Sequence, residues 1–302
     1  MPRSFPSGAA LAVSLSLIAP ALAHAHAVCG DRVFPPTLTL DDPGFNDELS
    51  LPTIQYTPIP ANGGNPSGHS TDYAFEWDKT IIPNAGIAIN GDYLIQRGAG
   101  QNLAGSDNIT ITAKGQLPCL EDHELLVSLG VAREFARTGS PSLRAAGAID
   151  TVSNTTPMIY IGKGMGDLPV DYLRPFAITA VIGRRFSDDT SASPNQWNYS
   201  ASLQYSMPYM QQHVKALDIP EVFTHLIPLV EFAYSRPTGG PTTGTISPGL
   251  LYEADSWQIG AEAVIPANGT SRQTRGTGFI VQFHLFLDDV LPDSLGKPLF
   301  NF

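Results

Sequence analysis

Alternation of apolar and polar residues is the feature that most constrains the fold of this chain. In the final run, GFIVQFHLFLD at residues 278–288, Phe279 and Leu285 fall on one face. Gln282 and His284 fall on the opposite face. Because successive side chains of a strand point to opposite sides, this run predicts a strand with one apolar and one more polar face. The same pattern recurs along almost the whole chain after about residue 70.

The most regular run is WNYSASLQYSM, residues 197–207. Every second residue in it is aromatic, aliphatic or methionine, and the residues between are Asn, Ser and Gln. The runs cover about 9 to 13 residues, which suits tilted membrane-spanning strands. Strands of soluble sheets are usually shorter, about 5–6 residues.

The less apolar face of these runs distinguishes two kinds of β-protein. A soluble barrel or sandwich points bulky apolar residues inward, whereas a membrane barrel points them outward to lipid. Here the less apolar face is rich in Ser, Thr, Gly, Ala, Asn and Gln, and Tyr and Trp lie towards the strand ends. Backbone polar groups find no water in hydrocarbon, so the sheet must close on itself. The pattern therefore predicts an all-β fold, an antiparallel transmembrane β-barrel.

The number of strands can be estimated from the regular runs and from the even strand number that is common in such barrels. About ten runs are regular, and bacterial barrels commonly have an even number of strands. Two less regular segments, Glu48 to Tyr56 and the residues near Met158, bring the total to about twelve. We expect the last run to close the barrel by pairing with the first.

The amino terminus predicts export. Arg3 precedes a mostly apolar stretch from Ala9 to Leu22, and small residues follow at candidate cleavage sites, which is the pattern of a secretory signal peptide. We assign residues 1–27 to this signal peptide, residues 28–46 to a periplasmic N-terminal segment and residues 47–302 to the barrel. The expected location is the outer membrane of a Gram-negative cell, after signal-peptide cleavage.

Cysteine occurs at only two positions, Cys29 and Cys119. An oxidising periplasm permits a disulfide between them. In a twelve-stranded barrel the turn that holds Cys119 lies on the same periplasmic side as Cys29, so we hypothesise a bridge between the two. Two free thiols are the alternative.

Charge excludes one class of partner and suggests a property of the lumen. The formal net charge is −11, which argues against nucleic-acid binding. Rings of charged side chains set the selectivity of pores, and acids outnumber bases among the inward polar residues, so we hypothesise a mild cation preference. The alternative is that these side chains pair with one another in a narrow lumen. The lumen-facing candidates are Glu76, Asp78, Asn90, Asp92, Lys114, Glu134, Gln204, Glu231, Glu262, Gln282 and His284.

No constellation predicts an enzyme. The chain has no GxSxG, HExxH or CxxC motif. Ser and His on strands, such as His225 and His284, could in principle form a hydrolase site, but lone histidines on strands are more often structural. The acidic stretch DDPGFNDE lacks the ligand spacing of an EF-hand loop. We therefore predict no catalytic residues, no cofactor and no metal site.

Four stretches carry a resemblance to a known family: LRPFAITAVIG, LQYSMPYMQQHV, LIPLVEFAYS and FLDDVLPDSLGKPLF. They resemble outer-membrane barrels of the MetA-pathway-of-phenol-degradation family, described as transporters. The resemblance implies a porin-like Gram-negative barrel that passes small, often hydrophobic or aromatic compounds. It implies no catalytic or ligand residues. The partners expected for such a barrel are outer-membrane lipid and lipopolysaccharide, a small-molecule solute and the barrel-assembly machinery.

Two functions follow from this sequence. The first is a passive channel or transporter for small solutes, with polar lumen residues setting its selectivity. The second is a structural or surface-interaction barrel with a plugged lumen, whose long loop at residues 138–171 meets partners. An open lumen favours the first, and a lumen filled by side chains or by the N-terminal segment favours the second.

Overall fold

A computed structural model describes residues 27–300 of the chain. The predicted signal peptide therefore lies outside the described residues, apart from Ala27. The described part is a closed barrel of twelve antiparallel strands with a short N-terminal hairpin inside it. This confirms the all-β barrel and the count of about twelve strands.

The N-terminal hairpin consists of β1 (Ala27–Cys29) and β2 (Arg32–Phe34). The remaining strands form the barrel, with a short extra strand, β6, that pairs only with the end of β5. These strands are β3 (Glu48–Ile59), β4 (Gly68–Ile82), β5 (Ala85–Gly98), β6 (Leu103–Ser106), β7 (Ile109–Gln116), β8 (Leu125–Phe135), β9 (Asn154–Gly164), β10 (Phe176–Ser187), β11 (Gln196–Tyr205), β12 (Leu226–Pro237), β13 (Thr243–Glu253), β14 (Trp257–Pro266) and β15 (Gly278–Phe286).

The barrel closes where its last strand meets its first. β15 pairs antiparallel with β3, and Phe279 lies opposite Tyr56 while Leu285 lies opposite Leu49. This is the closing pair that the sequence predicts. We call the end where β3 begins and β15 ends the proximal end, and the opposite end the distal end.

The outer surface of the barrel is apolar and carries aromatic residues near both ends. Near the proximal end, Trp257 stacks on Tyr252 and Phe283, with ring centroids 5.6 and 6.1 Å apart. Near the distal end, Tyr56 stacks on Phe279 at 5.5 Å. Large aliphatic side chains between these levels are exposed on the outer face. They include Leu129, Ile159, Ile178, Ile182, Leu203 and Ile259.

Short helices lie in the connections and after β15. The α-helices are α1 (Pro141–Ala145), α2 (Met207–Tyr209), α3 (Glu221–Thr224), α4 (Gly269–Thr274) and α5 (Leu287–Val290). The 3₁₀ helices are Glu121–His123 and Asp171–Leu173, and Met210–Val214 is a π-helix. Within residues 27–300, none of the helices is both long enough and apolar enough to span a membrane.

Residues 138–171 are not one long loop, and the less regular strand that the sequence predicts near Met158 is confirmed. A full barrel strand, β9, runs through the middle of this stretch. Its inner face includes Gly162 and Gly164, and its outer face includes Pro157 and Lys163. Small residues inside and a proline and a lysine outside weaken the alternation, so the sequence indicates the strand only near Met158 and not over its full length.

The tail after β15 crosses the proximal end of the barrel. The backbone amides of Leu299 and Phe300 donate to the carbonyls of Thr80 and Ile81 at 3.1 and 2.9 Å. The Lys79 ammonium donates to two tail carbonyls as well, at 3.0 and 2.7 Å. The tail is therefore fastened to the end of β4.

Residues 27–47, which we call the plug, lie inside the barrel. Most of these side chains are buried against the inner faces of the barrel strands. The sequence predicts residues 28–46 as a periplasmic N-terminal segment and leaves open a lumen filled by it, and the structure places these residues in the proximal part of the lumen. The segment has no periodic pattern, so nothing in it indicates which side chains of the barrel it contacts.

Candidate functional site in the plugged lumen

Part of the plug is held by apolar packing. Leu38 lies in a buried cluster on the inner face of the barrel, which also contains Ile227, Leu251 and Ile280. Gly260 leaves the space that Leu38 occupies, because a Cβ at that position would lie 2.6 Å from Leu38 Cδ1. The inner face is polar in general but apolar at the place where Leu38 contacts it.

A second glycine of the barrel wall, Gly162, leaves space for another part of the plug. A Cβ at Gly162 would lie 2.6 Å from Cγ of Pro43 and 3.0 Å from Cε1 of Phe34. Both of these contacts belong to the plug. The missing side chain on β9 therefore lets the plug lie directly against the barrel backbone.

Hydrogen bonds from the barrel wall satisfy polar groups of the plug. The Thr39 amide donates to Oε2 of Glu231 at 2.9 Å, and the Thr39 hydroxyl donates to the same oxygen. The Gln258 side-chain amide donates to the Pro36 carbonyl at 2.8 Å. The Ser128 hydroxyl donates to the Pro43 carbonyl. Buried polar groups are costly unless they are paired, so these contacts stabilise the plug in place.

Two buried lysines form ion pairs with the plug. Nζ of Lys114 lies 2.9 Å from Oδ2 of Asp41 and 3.6 Å from Oδ1 of Asp42, and it also donates to the Asp42 carbonyl at 3.0 Å. Nζ of Lys79 lies 2.6 Å from Oδ1 of Asp47. Asp47 immediately precedes β3, so the second pair fixes the point where the plug becomes the barrel wall.

The other end of the plug is fastened to the proximal turns. Cys29 and Cys119 form a disulfide, with Cα atoms 5.7 Å apart. Arg32 is completely buried and contacts Glu124 at 3.1 Å, and its guanidinium lies 3.7 Å from the centroid of the Tyr209 ring. The Tyr209 hydroxyl donates to the other oxygen of Glu124 at 2.8 Å. The plug is therefore a segment held at both ends, by the disulfide and by its continuity with β3.

A cavity of about 360 Å³ lies beside the plug, on its distal side. Residues 36–41 of the plug form one wall, and strands β3, β4, β5 and β15 form much of the rest. Asp107, in the distal connection before β7, also lines it, and burial raises the pKa of this carboxyl. The cavity is strongly acidic, because its carboxylates are Asp41, Glu48, Glu76, Asp78, Asp92 and Asp107.

Three of these carboxylates are close together. Asp41, Glu76 and Asp78 each place one oxygen within 4.8 Å of the other two. Carboxylate oxygens are the ligands that hard divalent cations prefer, so this group is the arrangement within residues 27–300 that could hold a metal ion.

His284 also joins two residues of the cavity wall. Its Nδ1 lies 2.7 Å from the Ser50 hydroxyl and its Nε2 lies 2.8 Å from Oε2 of Glu48. These are the residue types of a hydrolytic triad, but the two ring nitrogens have exchanged their usual partners. All three side chains are deeply buried on adjacent strands. His284 thus connects β15 to β3 through its hydrogen bond with Ser50, while its Nε2 lies at ion-pair distance from Glu48 without a hydrogen bond.

The structure places all of the predicted lumen residues on the inner face of the barrel and divides them among three sets of contacts. Glu76, Asp78, Asn90, Asp92, Gln282 and His284 line the acidic cavity. Lys114 and Glu231 hold the plug, and Glu262 is buried near Glu231. Elsewhere, Glu134 accepts from Asn108 and Asn154, and Gln204 lies 3.5 Å from Thr179. Their effect on solute selection stays a prediction.

Some residues of the site were not predicted. Glu48 and Ser50 lie on the inner face of β3, and their alternation with Leu49 is a signal that could have identified them. Asp41 and Asp42 lie in the plug, where the sequence has no period. Only the structure shows that they meet Lys114.

Comparisons with known proteins give structural similarities only. No family model matches the chain, and no curated protein matches it. The resemblance to the MetA-pathway-of-phenol-degradation family is therefore not confirmed.

The solved structures that are similar to the barrel include two autotransporter domains and one outer membrane protein. The β-domain of the Bordetella autotransporter Brka is 11% identical, with 81% of this chain and 100% of that chain covered and a TM-score of 0.43. The translocator domain of the autotransporter NalP from Neisseria meningitidis is 12% identical, with coverages of 80% and 88% and a TM-score of 0.38. The outer membrane protein OprD from Pseudomonas aeruginosa is 8% identical, with coverages of 87% and 96% and a TM-score of 0.32.

Proposed function

We propose that this chain is an outer-membrane channel for small solutes that its own plug holds closed. The observation that carries the proposal is the plug itself, which contacts the lumen wall through hydrogen bonds and ion pairs as well as apolar packing and is tethered at both ends. The apolar outer face with aromatic residues near both ends supports a place in a membrane. In a Gram-negative outer membrane, the proximal end would face the periplasm.

The acidic cavity supports a preference for cationic or neutral polar solutes. Its six carboxylates are opposed by few positive charges, and fields of one sign concentrate ions of the opposite sign. The sequence stretches quoted above support a place in the MetA-pathway-of-phenol-degradation family, for which hydrophobic or aromatic solutes are expected. Uptake compared between a deletion strain and a complemented strain, across cationic, neutral and aromatic solutes, distinguishes these classes.

A structural or surface-interaction barrel is the second candidate. The lumen is filled by the N-terminal segment, which is the arrangement expected of this second candidate. The buried ion pairs and the disulfide favour it as well, because they are the contacts of a plug that stays in place. On this view the distal connections, such as residues 136–153 with α1, would carry the interaction. Such a barrel would conduct no ions even after the disulfide between Cys29 and Cys119 is removed.

Conductance in planar bilayers tests the two candidates. We expect the oxidised wild-type barrel to conduct rarely and the Cys29→Ser/Cys119→Ser variant to conduct more often, with cation preference. A reductant should make the wild type conduct more often and should leave the conductance of the variant unchanged. Absence of channels in both proteins would reject the channel in favour of the structural barrel, and clear anion selectivity would reject the role of the acidic cavity.

A further inference from the structure

The cluster of Asp41, Glu76 and Asp78 joins the plug to the barrel wall. Asp41 belongs to the plug, whereas Glu76 and Asp78 are two residues apart on β4 and so point to the same side of that strand. One oxygen of each lies within 4.8 Å of the other two. Three ionised carboxylates at this separation repel one another strongly, and either a bound proton or positive charge among them relieves that repulsion.

Nearby groups do not balance this charge. Lys114 contacts Asp41, but it is shared with the buried Asp42. Glu76 accepts one hydrogen bond, from the Asn90 amide at 2.9 Å. Asp78 is only 7% exposed, and its Oδ1 has no hydrogen-bond partner among the described residues.

Asp78 lines the same cavity as the other two carboxylates, and its Oδ1 is buried without a hydrogen-bond partner among the described residues. A buried carboxylate oxygen without a donor costs free energy, so it indicates a missing partner. The Asn90 side-chain oxygen, on the same cavity wall, also lacks a donor. The Asp41 side chain is 33% exposed, which leaves a route from the cavity into the cluster.

We propose that Asp41, Glu76 and Asp78 bind a hard divalent cation, with Ca²⁺ the best fit. Ca²⁺ takes six to eight oxygen ligands in flexible geometry, and carboxylates, an amide oxygen and cavity water supply such a set. Mg²⁺ demands a stricter octahedron, so it fits less well. The bound ion supplies the positive charge that the cluster lacks.

Such an ion would also fasten the plug. It would link Asp41 of the plug to two residues of β4, and so add one more attachment between the disulfide and the start of β3. This consequence for gating rests on the proposed channel, but binding of the ion does not.

Calorimetry on the full-length detergent-solubilised protein tests the site. After treatment with EDTA, CaCl₂ is titrated into the wild type, Asp78→Asn and Asp92→Asn. Asp92 lines the same cavity outside the cluster, so Asp92→Asn is the matched control. We expect binding to the wild type and to the control, and at least tenfold weaker binding to Asp78→Asn. Ca²⁺ should also raise the thermal unfolding midpoint of the wild type more than that of Asp78→Asn.

Three results would overturn the proposal. They are absence of Ca²⁺ binding to the wild type, equal weakening in both variants, and unchanged binding in a folded Asp78→Asn. Glu76→Gln provides a second test if Asp78→Asn does not fold. Because binding is measured directly, a barrel that never conducts but binds Ca²⁺ would contradict the channel and leave the cation site standing.

Discussion

Lys114 is the residue on which the charge balance of the plug most depends. Its ammonium is buried on β7 and contacts both Asp41 and Asp42. We expect Lys114→Met to lower the free energy of unfolding by about 3 to 5 kcal/mol, because removing one partner leaves buried charges unpaired. The measurement is the urea concentration at the midpoint of unfolding of the refolded barrel. Unfolding is followed by the heat-dependent mobility of the protein on gels.

Lys163 supplies the matched control for Lys114. It pairs with Asp167 at 3.1 Å in the proximal turn after β9, where both side chains are partly exposed. Exposed pairs contribute about 0 to 1 kcal/mol, so Lys163→Met should leave the midpoint nearly unchanged. Equal effects of the two substitutions would show that Lys114 acts as an ordinary surface lysine.

Tyr209 makes the proximal end sensitive to alkaline pH. Burial, and then its hydrogen bond to Glu124, raises the pKa of Tyr209 from 10.0 to about 12. A raised pKa means that the folded state holds the phenol proton more tightly, so this stabilisation is complete below pH 10 and is lost as pH rises towards about 12. We expect the unfolding midpoint of the wild type to fall more steeply over this window than that of Tyr209→Phe.

The control for this pH profile is Tyr172→Phe. Tyr172 is exposed in the neighbouring proximal turn, with 59% of its surface accessible. Its substitution should leave the difference between pH 10 and pH 12 as in the wild type. A Tyr209→Phe profile that follows the wild type over the whole window would contradict the prediction.

The sequence predicts inner-face residues better than it predicts their partners. Gln282 and His284 belong to a regular run, so their side is set by the strand period. Asp41 lies 35 residues before Glu76 in a segment without period, and no local rule brings the two together. Long-range contacts of an irregular segment depend on the shape of the surface that receives it, which only the folded barrel supplies.

Among elements, the strands could be predicted wherever their two faces differ in polarity. β11 and β15 meet this condition, whereas β9 has glycines inside and Pro157 outside. The sequence leaves open a lumen filled by the N-terminal segment, but it does not predict the contacts of the plug, because the buried side chains include both Leu38 and Asp42. A mixed set of buried residues gives no periodic signal.

The contact between the plug and β9 can be tested by a substitution that fills the space left by Gly162. A side chain at Gly162 would overlap Pro43 and Phe34, so we expect Gly162→Val to lower the free energy of unfolding by about 1–3 kcal/mol. The same change should raise the frequency of channel openings in planar bilayers. At Gly115 on β7 a Cβ would have its nearest contact at 3.8 Å, to Ala85, so Gly115→Val is the control. If Gly162→Val lowers the free energy of unfolding but leaves the conductance unchanged, the contact between the plug and β9 does not control channel opening.

At the scale of the whole molecule, the barrel and the plug share no strand pairing, but ion pairs connect them. Strands β3 to β15 close through their own hydrogen bonds, and none of these ladders includes the plug. The inner face is polar enough to be hydrated, so deletion of residues 28–46 should still leave a folded barrel.

The conductance of this deletion variant should reveal the charge of the lumen. Loss of the plug removes Asp41 and Asp42 but leaves Glu48, Glu76 and Asp78 on the wall. We therefore expect a frequently open, cation-selective pore in planar bilayers, whose selectivity weakens at high salt because screening shortens the reach of the wall charges. A folded deletion variant that remains closed would show that wall side chains and proximal turns block the lumen without the plug. A failure to fold would instead make the plug part of the barrel core, because the inner face would then need the plug to satisfy its buried groups.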